Sequence, residues 1–289
     1  MTPDRLEPMS NSATPQENTG DGLAQVQRIR THHLAQAKAA GERFTMLTSY
    51  DFMTAELFDQ AGIDTLLVGD SASSTVLGHS SSLPITVDEL LPMCRAVAAA
   101  AKRAFVVVDL PFGSYEESPE QAVRTAVRFM KEGGAHGVKI EADASTAHLV
   151  AAVVRAGIPV IGHVGFTPQS EHAMGGYRIQ GRGDAAQKVL DDALALEAAG
   201  AFCILMEMVP SETATSVDQA LTVPTIGIGA GAQTTGQVLV WQDALGLNGG
   251  KVAKFVKRYA DLRGVMTQAV TDYVQDVRSG AFPAQEHTY

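Results

Sequence analysis

Cysteine is scarce in this sequence: 289 residues contain two, Cys94 and Cys203, each inside an apolar segment. That placement predicts two buried thiols rather than a disulfide, and a reducing, cytoplasmic setting. Basic charge is also short, with 22 Lys and Arg against 32 Asp and Glu and a formal net charge of −10. A chain of that sign lacks the basic footprint that a phosphate backbone requires, which excludes nucleic acid as the main partner. No apolar run reaches the roughly 18 residues of a membrane span, so a membrane-embedded protein is not expected. The N-terminus lacks the charged-then-apolar pattern of a secretory signal, and its Asp4, Glu7, Glu17 and Asp21 do not suit a transit peptide.

Hydrophobic residues make up 45 % of the chain, enough for a large core. Residues 1–22 are rich in Pro, Ser, Thr, Asn and Gly and are expected to form a disordered tail. Residues 23–289 are expected to form a single domain. A helical pattern over Gln25–Ala40 stops at Gly41, a suitable residue for a left-handed helix end.

A regular alternation follows. Short apolar runs, often β-branched, cover Phe44–Thr48, Thr65–Gly69, Phe105–Leu110, Gly137–Glu141, Pro159–His163, Phe202–Met208, Pro224–Ile228 and Val238–Trp241. Runs of this length, apolar on both faces, predict strands of a parallel sheet. Ala-rich helical stretches separate most of them, at 52–61, 86–102, 118–133, 144–156, 184–199 and 211–220, and a last one spans 252–279. Eight strand–helix units predict a closed (β/α)8 TIM barrel. Two connections, 71–84 and 165–183, are long for this architecture. Both follow strand C-termini, the end at which such barrels carry their active sites.

Ionisable residues recur at the strand ends: Asp70 after strand 2, Asp109 on strand 3, Lys139 and Glu141 on strand 4, His163 on strand 5 and Glu207 on strand 6. Each alone has a plain structural explanation, as a turn carboxylate, a surface lysine or a hydrogen-bonded core histidine. Glu207 resists one, because a carboxylate after "FCILM" is costly to bury without a partner. Four carboxylates converging on one mouth repel one another unless a cation neutralises them. Oxygen ligands without a pair of His or Cys at zinc spacing point to Mg²⁺ or a similar hard ion. A 2-oxo acid could chelate such an ion through two oxygens, which acidifies the adjacent C–H and stabilises its enolate. Glu207 is then the candidate to move that proton. The glycines of "GIGAG" (Gly227, Gly229, Gly231) leave two readings open, a phosphate cradle or a tight turn.

At these residues the chain resembles the ketopantoate (3-methyl-2-oxobutanoate) hydroxymethyltransferase family. The resemblance runs from Gln25 to His287 through "TSYD" (48–51), "LLVGDS" (66–71), "LPIT" (83–86), "DLPF" (109–112), "VKIE" (138–141), "GHVGFTPQS" (162–170), "GGYRIQGR" (175–182), "MEMVP" (206–210) and "FPAQEH" (282–287). It implies a barrel of the phosphoenolpyruvate/pyruvate type that moves a hydroxymethyl group from 5,10-methylenetetrahydrofolate to 3-methyl-2-oxobutanoate, giving 2-dehydropantoate in pantothenate biosynthesis. Position by position, it implies Asp70, Asp109 and Glu141 as contacts of Mg²⁺. It likewise implies that Asp70, Ser71, Asp109, Lys139 and His163 line the substrate and that Glu207 accepts the proton. It also implies a homodecamer. Two alternatives compete: a Mg²⁺-dependent lyase or mutase of the same superfamily, and an inactive barrel that only binds a ligand. The first wants a reactive cysteine in a flexible loop, which neither Cys94 nor Cys203 supplies; the second has no use for four clustered acids.

Overall fold

The computed structural model describes residues 22–250 and 252–289, so the predicted tail lies, except for Gly22, outside the described residues. Eight parallel strands close into one barrel in simple sequence order: β1 (Phe44–Thr48), β2 (Thr65–Val68), β3 (Phe105–Asp109), β4 (Gly137–Glu141), β5 (Val160–Gly165), β6 (Cys203–Glu207), β7 (Thr225–Ile228) and β8 (Gly236–Leu239). The helices are α1 (Thr31–Ala40), α2 (Phe52–Gln60), α3 (Ala72–Thr75), α4 (Val87–Ala100), α5 (Pro119–Lys131), α6 (Ala147–Arg155), α7 (Ala185–Ala198), α8 (Ser211–Ala220), α9 (Trp241–Ala244) and α10 (Leu262–Ser279).

Local chemistry marks where helices begin. Asp51 caps α2 by accepting from Thr54 N–H at 2.9 Å. Thr86 and Glu89 form a reciprocal capping box at α4, and Ser118 followed by Pro119 opens α5. The barrel closes where β8 pairs with β1, Phe44 beside Gly236. A Cβ on Gly236 would lie 2.5 Å from the Phe44 ring, so only glycine allows this closure.

Strand parity divides the core in two. Leu66, Val68, Val106, Val108, Val138, Ile140, Val160, Ile204 and Met206 face outward and pack under the helices. Phe44, Met46, Leu67, Phe105, Val107, Ile161, Cys203, Leu205, Ile226 and Val238 fill the barrel, which Leu23, Ile29, Leu34 and Ala37 plug from below. Along β3 to β6 the inward positions are the odd-numbered ones. Continued to the C-terminal ends, the same parity turns Asp109, Lys139, Glu141, His163 and Glu207 into the barrel mouth.

Three expectations need correction. β7 and β8 are joined directly through 229–235 without a helix, so the strand–helix repeat does not run eight times, and β8 starts two residues earlier than its apolar run. Helix α10 begins at Leu262 rather than 252, and no residue of it is buried. Its apolar spacing is helical, but the surface it would cover is not supplied by its own barrel. The first helix starts at Thr31, because Leu23–Gln25 forms a separate 3-10 turn.

Candidate active site

A cavity of about 310 Å³ opens at the C-terminal mouth, and Asp70, Ser71, Asp109, Lys139, Glu141, His163 and Glu207 all line it. Every side chain singled out from the sequence is therefore in one place. Asp70 arrives by a different route from the others. Strand β2 ends at Val68, and Asp70 sits in the turn before α3, where its N–H donates to Asp109 Oδ2 at 2.9 Å. Gly69 makes this approach possible: a Cβ there would lie 2.8 Å from Ser71 Oγ and 3.4 Å from Asp109 Oδ2. Ser71 is held by the Tyr50 hydroxyl at 2.8 Å.

Lys139 links the basic and acidic groups. Its Nζ lies 3.1 Å from Asp109 Oδ1 and 3.1 Å from His163 Nδ1. The Asp109 contact is an ion pair, and among the described residues it is the one close contact of Oδ1. An ammonium only donates, so His163 Nδ1 must accept and the imidazole carries its hydrogen on Nε2. That nitrogen points at Glu207 Oε2, 3.6 Å away. Glu141 Oε1 lies 3.5 Å from His163 Nδ1 and has no hydrogen-bond partner, while its Oε2 accepts from Gln169 N–H at 3.0 Å.

Burial sets the protonation pattern. It pushes Asp70 and Asp109 up to about 6, assisted by Glu141 for the first and by Asp70 for the second, with Lys139 opposing both. Glu141 and Glu207 are pushed up to about 8, again first by burial; Asp109 adds to Glu141, and Glu141 adds to Glu207. Burial opposes the charge on Lys139, yet Asp109, Glu141 and Asp70 outweigh it and hold the pKa above the usual lysine range. Burial and the Lys139 charge keep His163 neutral, its pKa well below the usual value. One buried ammonium thus serves four acids, and the cluster remains short of positive charge near neutrality.

Among the described residues, no three His, Cys, Asp or Glu side chains are drawn together as a ready metal cage. The donor chemistry nevertheless suits a hard cation. Glu141 Oε1 is a buried acceptor without a hydrogen-bond partner, and Asp109 Oδ1 is met by the Lys139 ammonium alone. Ions such as Mg²⁺ bind through one or two carboxylates and complete their shell with water and substrate oxygens.

Three residues outside the predicted set complete the site: Tyr50, Tyr115 and Gln169. Gln169 reaches Asp70 Oδ2 at 2.9 Å and the Leu110 carbonyl at 3.0 Å, and accepts from the Tyr115 hydroxyl at 2.7 Å. A polar residue in a loop has no periodicity to betray it, and only the tertiary contacts identify it. The loop after β5 also places Tyr177 over Phe166, rings 4.6 Å apart, at the rim of the cavity. The "GIGAG" glycines serve as a turn: Gly229 and Gly231 have positive φ, and a Cβ on Gly231 would lie 2.3 Å from Ser211 Oγ. Both thiols are buried, and burial raises their pKa, so neither provides a reactive loop cysteine.

Comparison with known proteins bears on the family and the fold. Residues 28–285 match the family model described as ketopantoate hydroxymethyltransferase. The 3-methyl-2-oxobutanoate hydroxymethyltransferase of Paenarthrobacter aurescens is 64 % identical over 278 residues, covering 96 % of this chain and 92 % of the relative. That of Nocardioides sp. is 55 % identical over 289 residues, covering 100 % and 98 %. Among solved structures, phosphonopyruvate hydrolase with oxalate and Mg²⁺ superposes with a TM-score of 0.57 at 16 % identity, covering 89 % of this chain and 92 % of that one. A 2,3-dimethylmalate lyase of the PEP mutase/isocitrate lyase superfamily gives 0.57 at 17 % identity, covering 89 % and 91 %. At such identities the likeness is one of fold.

Proposed function

The chain belongs to the ketopantoate hydroxymethyltransferase family, and from that premise we propose that it transfers a hydroxymethyl group from 5,10-methylenetetrahydrofolate to 3-methyl-2-oxobutanoate, giving 2-dehydropantoate. The observation that carries the reading is the inward-facing set Asp109, Lys139, Glu141, His163 and Glu207, joined by Asp70 around one cavity, with Glu141 Oε1 buried there without a hydrogen-bond partner.

Asp70, Asp109 and Glu141 would hold Mg²⁺. When bound, that ion supplies Lewis acidity at the keto oxygen and offsets the acidic cluster. Ser71 and Lys139 orient the 2-oxo acid, with Lys139 as the fixed positive charge for its carboxylate. Glu207 accepts the proton from C3. Its raised pKa makes it a base of the right strength near neutral pH, and the Nε2–H of the neutral His163, which has no hydrogen-bond partner, faces its carboxylate at 3.6 Å. C3 then forms a bond to the donor's methylene carbon and water supplies its hydroxyl, while both bonds from that carbon to the folate nitrogens break; the C3 proton and one water proton end on those two nitrogens of the released tetrahydrofolate. Tyr177, on the loop after β5, stands at the rim of the cavity.

The test is solvent-deuterium exchange at C3 of 3-methyl-2-oxobutanoate, followed by NMR with and without Mg²⁺ and with and without the folate. Exchange that needs Mg²⁺ but no folate separates proton removal from group transfer. No Mg²⁺-dependent exchange under either condition defeats the reading.

We further propose that the protein works as a homo-oligomer, a homodecamer by family likeness. Helix α10 supports this: Val265, Val270 and Tyr273 are each at least 58 % exposed, an apolar stripe that its own barrel leaves uncovered. Among the described residues no helix is long and apolar enough to cross a membrane. The two free buried thiols suit a cytoplasmic setting.

A further inference from the structure

Gln169 adds a tie across three neighbouring strand ends, those of β2, β3 and β4. Its backbone N–H donates to Glu141 Oε2, and its Nε2 donates to Asp70 Oδ2 and to the carbonyl of Leu110. Its Oε1 accepts from the Tyr115 hydroxyl at 2.7 Å. The residue is 6 % exposed, and every polar group of its side-chain amide is used. The orientation of that amide is settled by its partners. A carboxylate oxygen and a carbonyl only accept here, so both select the NH₂ side. Tyr115 gives its proton to the other side, with a longer 3.1 Å approach to the carbonyl of Glu141. Burial and the nearby acids push the Tyr115 pKa well above the usual tyrosine value, so the hydroxyl remains a donor. An amide turned the other way would set an oxygen against Asp70, acceptor facing acceptor in a buried site.

The effect on the acids is specific. Gln169 occupies one oxygen of Asp70 and one of Glu141, and Glu141 Oε1 is left buried without a hydrogen bond. Asp109 is treated in the same way by a backbone group, with Oδ2 taken by Asp70 N–H. Asp70 and Glu141 are thus each held by Gln169 through one oxygen, which fixes the direction of the other; Asp109 Oδ1 also faces the Lys139 ammonium at 3.1 Å. We propose that Tyr115 and Gln169 are positioning residues for the cation site: the Tyr115 hydroxyl orients the Gln169 side-chain amide, that amide determines which oxygen of Asp70 faces the cation, and the Gln169 backbone N–H does the same for Glu141. The inference rests on the reading of those acids as ligands. Gln169 also lies in the 3-10 turn Pro168–Ser170 that starts the loop bearing Tyr177. Seating of that loop and readiness of the cation site therefore depend on one side chain.

Mn²⁺ binding to the full chain, measured by the EPR signal of free Mn²⁺, tests the proposal. The set comprises the wild type, Gln169→Leu, Tyr115→Phe, the double variant and Asp70→Ala, with thermal melts alongside. Gln169 borders a second cavity of about 330 Å³, so leucine there meets space rather than backbone. Gln169→Leu should weaken Mn²⁺ binding about tenfold and Tyr115→Phe about threefold, since the buried Asp70 carboxylate loses its orienting side-chain donor while Glu141 keeps the backbone N–H. The double variant should match Gln169→Leu, because Tyr115 acts through Gln169; a purely structural role would make the two effects additive. Wild-type affinity in Gln169→Leu, or additive losses, overturns the inference. If Gln169→Leu does not fold, unchanged affinity in Tyr115→Phe overturns it instead. Loss of binding in Asp70→Ala beside unchanged Gln169→Leu defeats this inference alone. Equal binding by the wild type and Asp70→Ala defeats the ligand assignment, and this inference with it.

Discussion

Lys139 Nζ lies 3.1 Å from Asp109 Oδ1, with the two side chains 5 % and 3 % exposed. The pair follows from strand register, since Asp109 and Lys139 stand directly opposite each other where β3 meets β4. A buried pair of this kind contributes little net stability when intact, because desolvation offsets most of the attraction. Removing one member is a different matter, as it strands the other charge.

Asp109→Ala should therefore lose turnover and stability together. It leaves the Lys139 ammonium without its ion partner and Asp70 N–H without its acceptor. The expected loss is about 3–5 kcal/mol in urea unfolding. Asp109→Asn keeps an acceptor for Asp70 N–H, so it should be equally inactive but less destabilised. An alanine variant as stable as the wild type would show that this pair does not anchor the barrel mouth.

Glu207→Gln should retain binding of Mn²⁺ and of the 2-oxo acid while exchange of the C3 proton slows by about 10²-fold or more. The amide keeps the shape of the carboxylate but cannot accept the proton. NMR in D₂O measures the exchange, and calorimetry checks binding. Exchange at the wild-type rate would move the role of base to another group.

Acid should destabilise the fold partly through His136, a residue remote from the cavity. Its Nδ1 accepts from Val106 N–H at 2.8 Å. Burial, then Arg28 and Arg30, lowers its pKa from 6.5 to about 4. Between those values the unfolded chain binds the proton and the folded chain does not, so the stability from this site is complete above about pH 6.5 and is lost as pH falls through about 4. His136→Asn can still present an acceptor to Val106 but cannot titrate. Its melting temperature should fall less steeply than that of the wild type between pH 7 and 4, and parallel curves would contradict the assignment.

Val270→Glu should reduce the size of the particle without unfolding the barrel. No residue of α10 is buried within its own chain, so a charge there disturbs only a contact made outside it. Analytical ultracentrifugation should show smaller species, with the circular dichroism of the wild type. An unchanged assembly would mean that another surface holds the subunits together.

Much of this molecule is determined by its sequence. Alternating apolar runs and Ala-rich helices specify the barrel, and strand parity carries Asp109, Lys139, Glu141, His163 and Glu207 to one mouth, because side chains two apart on a strand share a face. Where chemistry departs from periodicity, only the tertiary structure decides. Asp70 lies beyond the end of β2, and its place depends on a turn and on the Asp109 carboxylate across the sheet. Tyr115 and Gln169 stand 54 residues apart and meet only when two loops close over the strand ends. The apolar stripe of α10 reads as a core face in sequence and lies on the surface in the fold, because a hydrophobic period specifies that a face is to be covered but not what covers it.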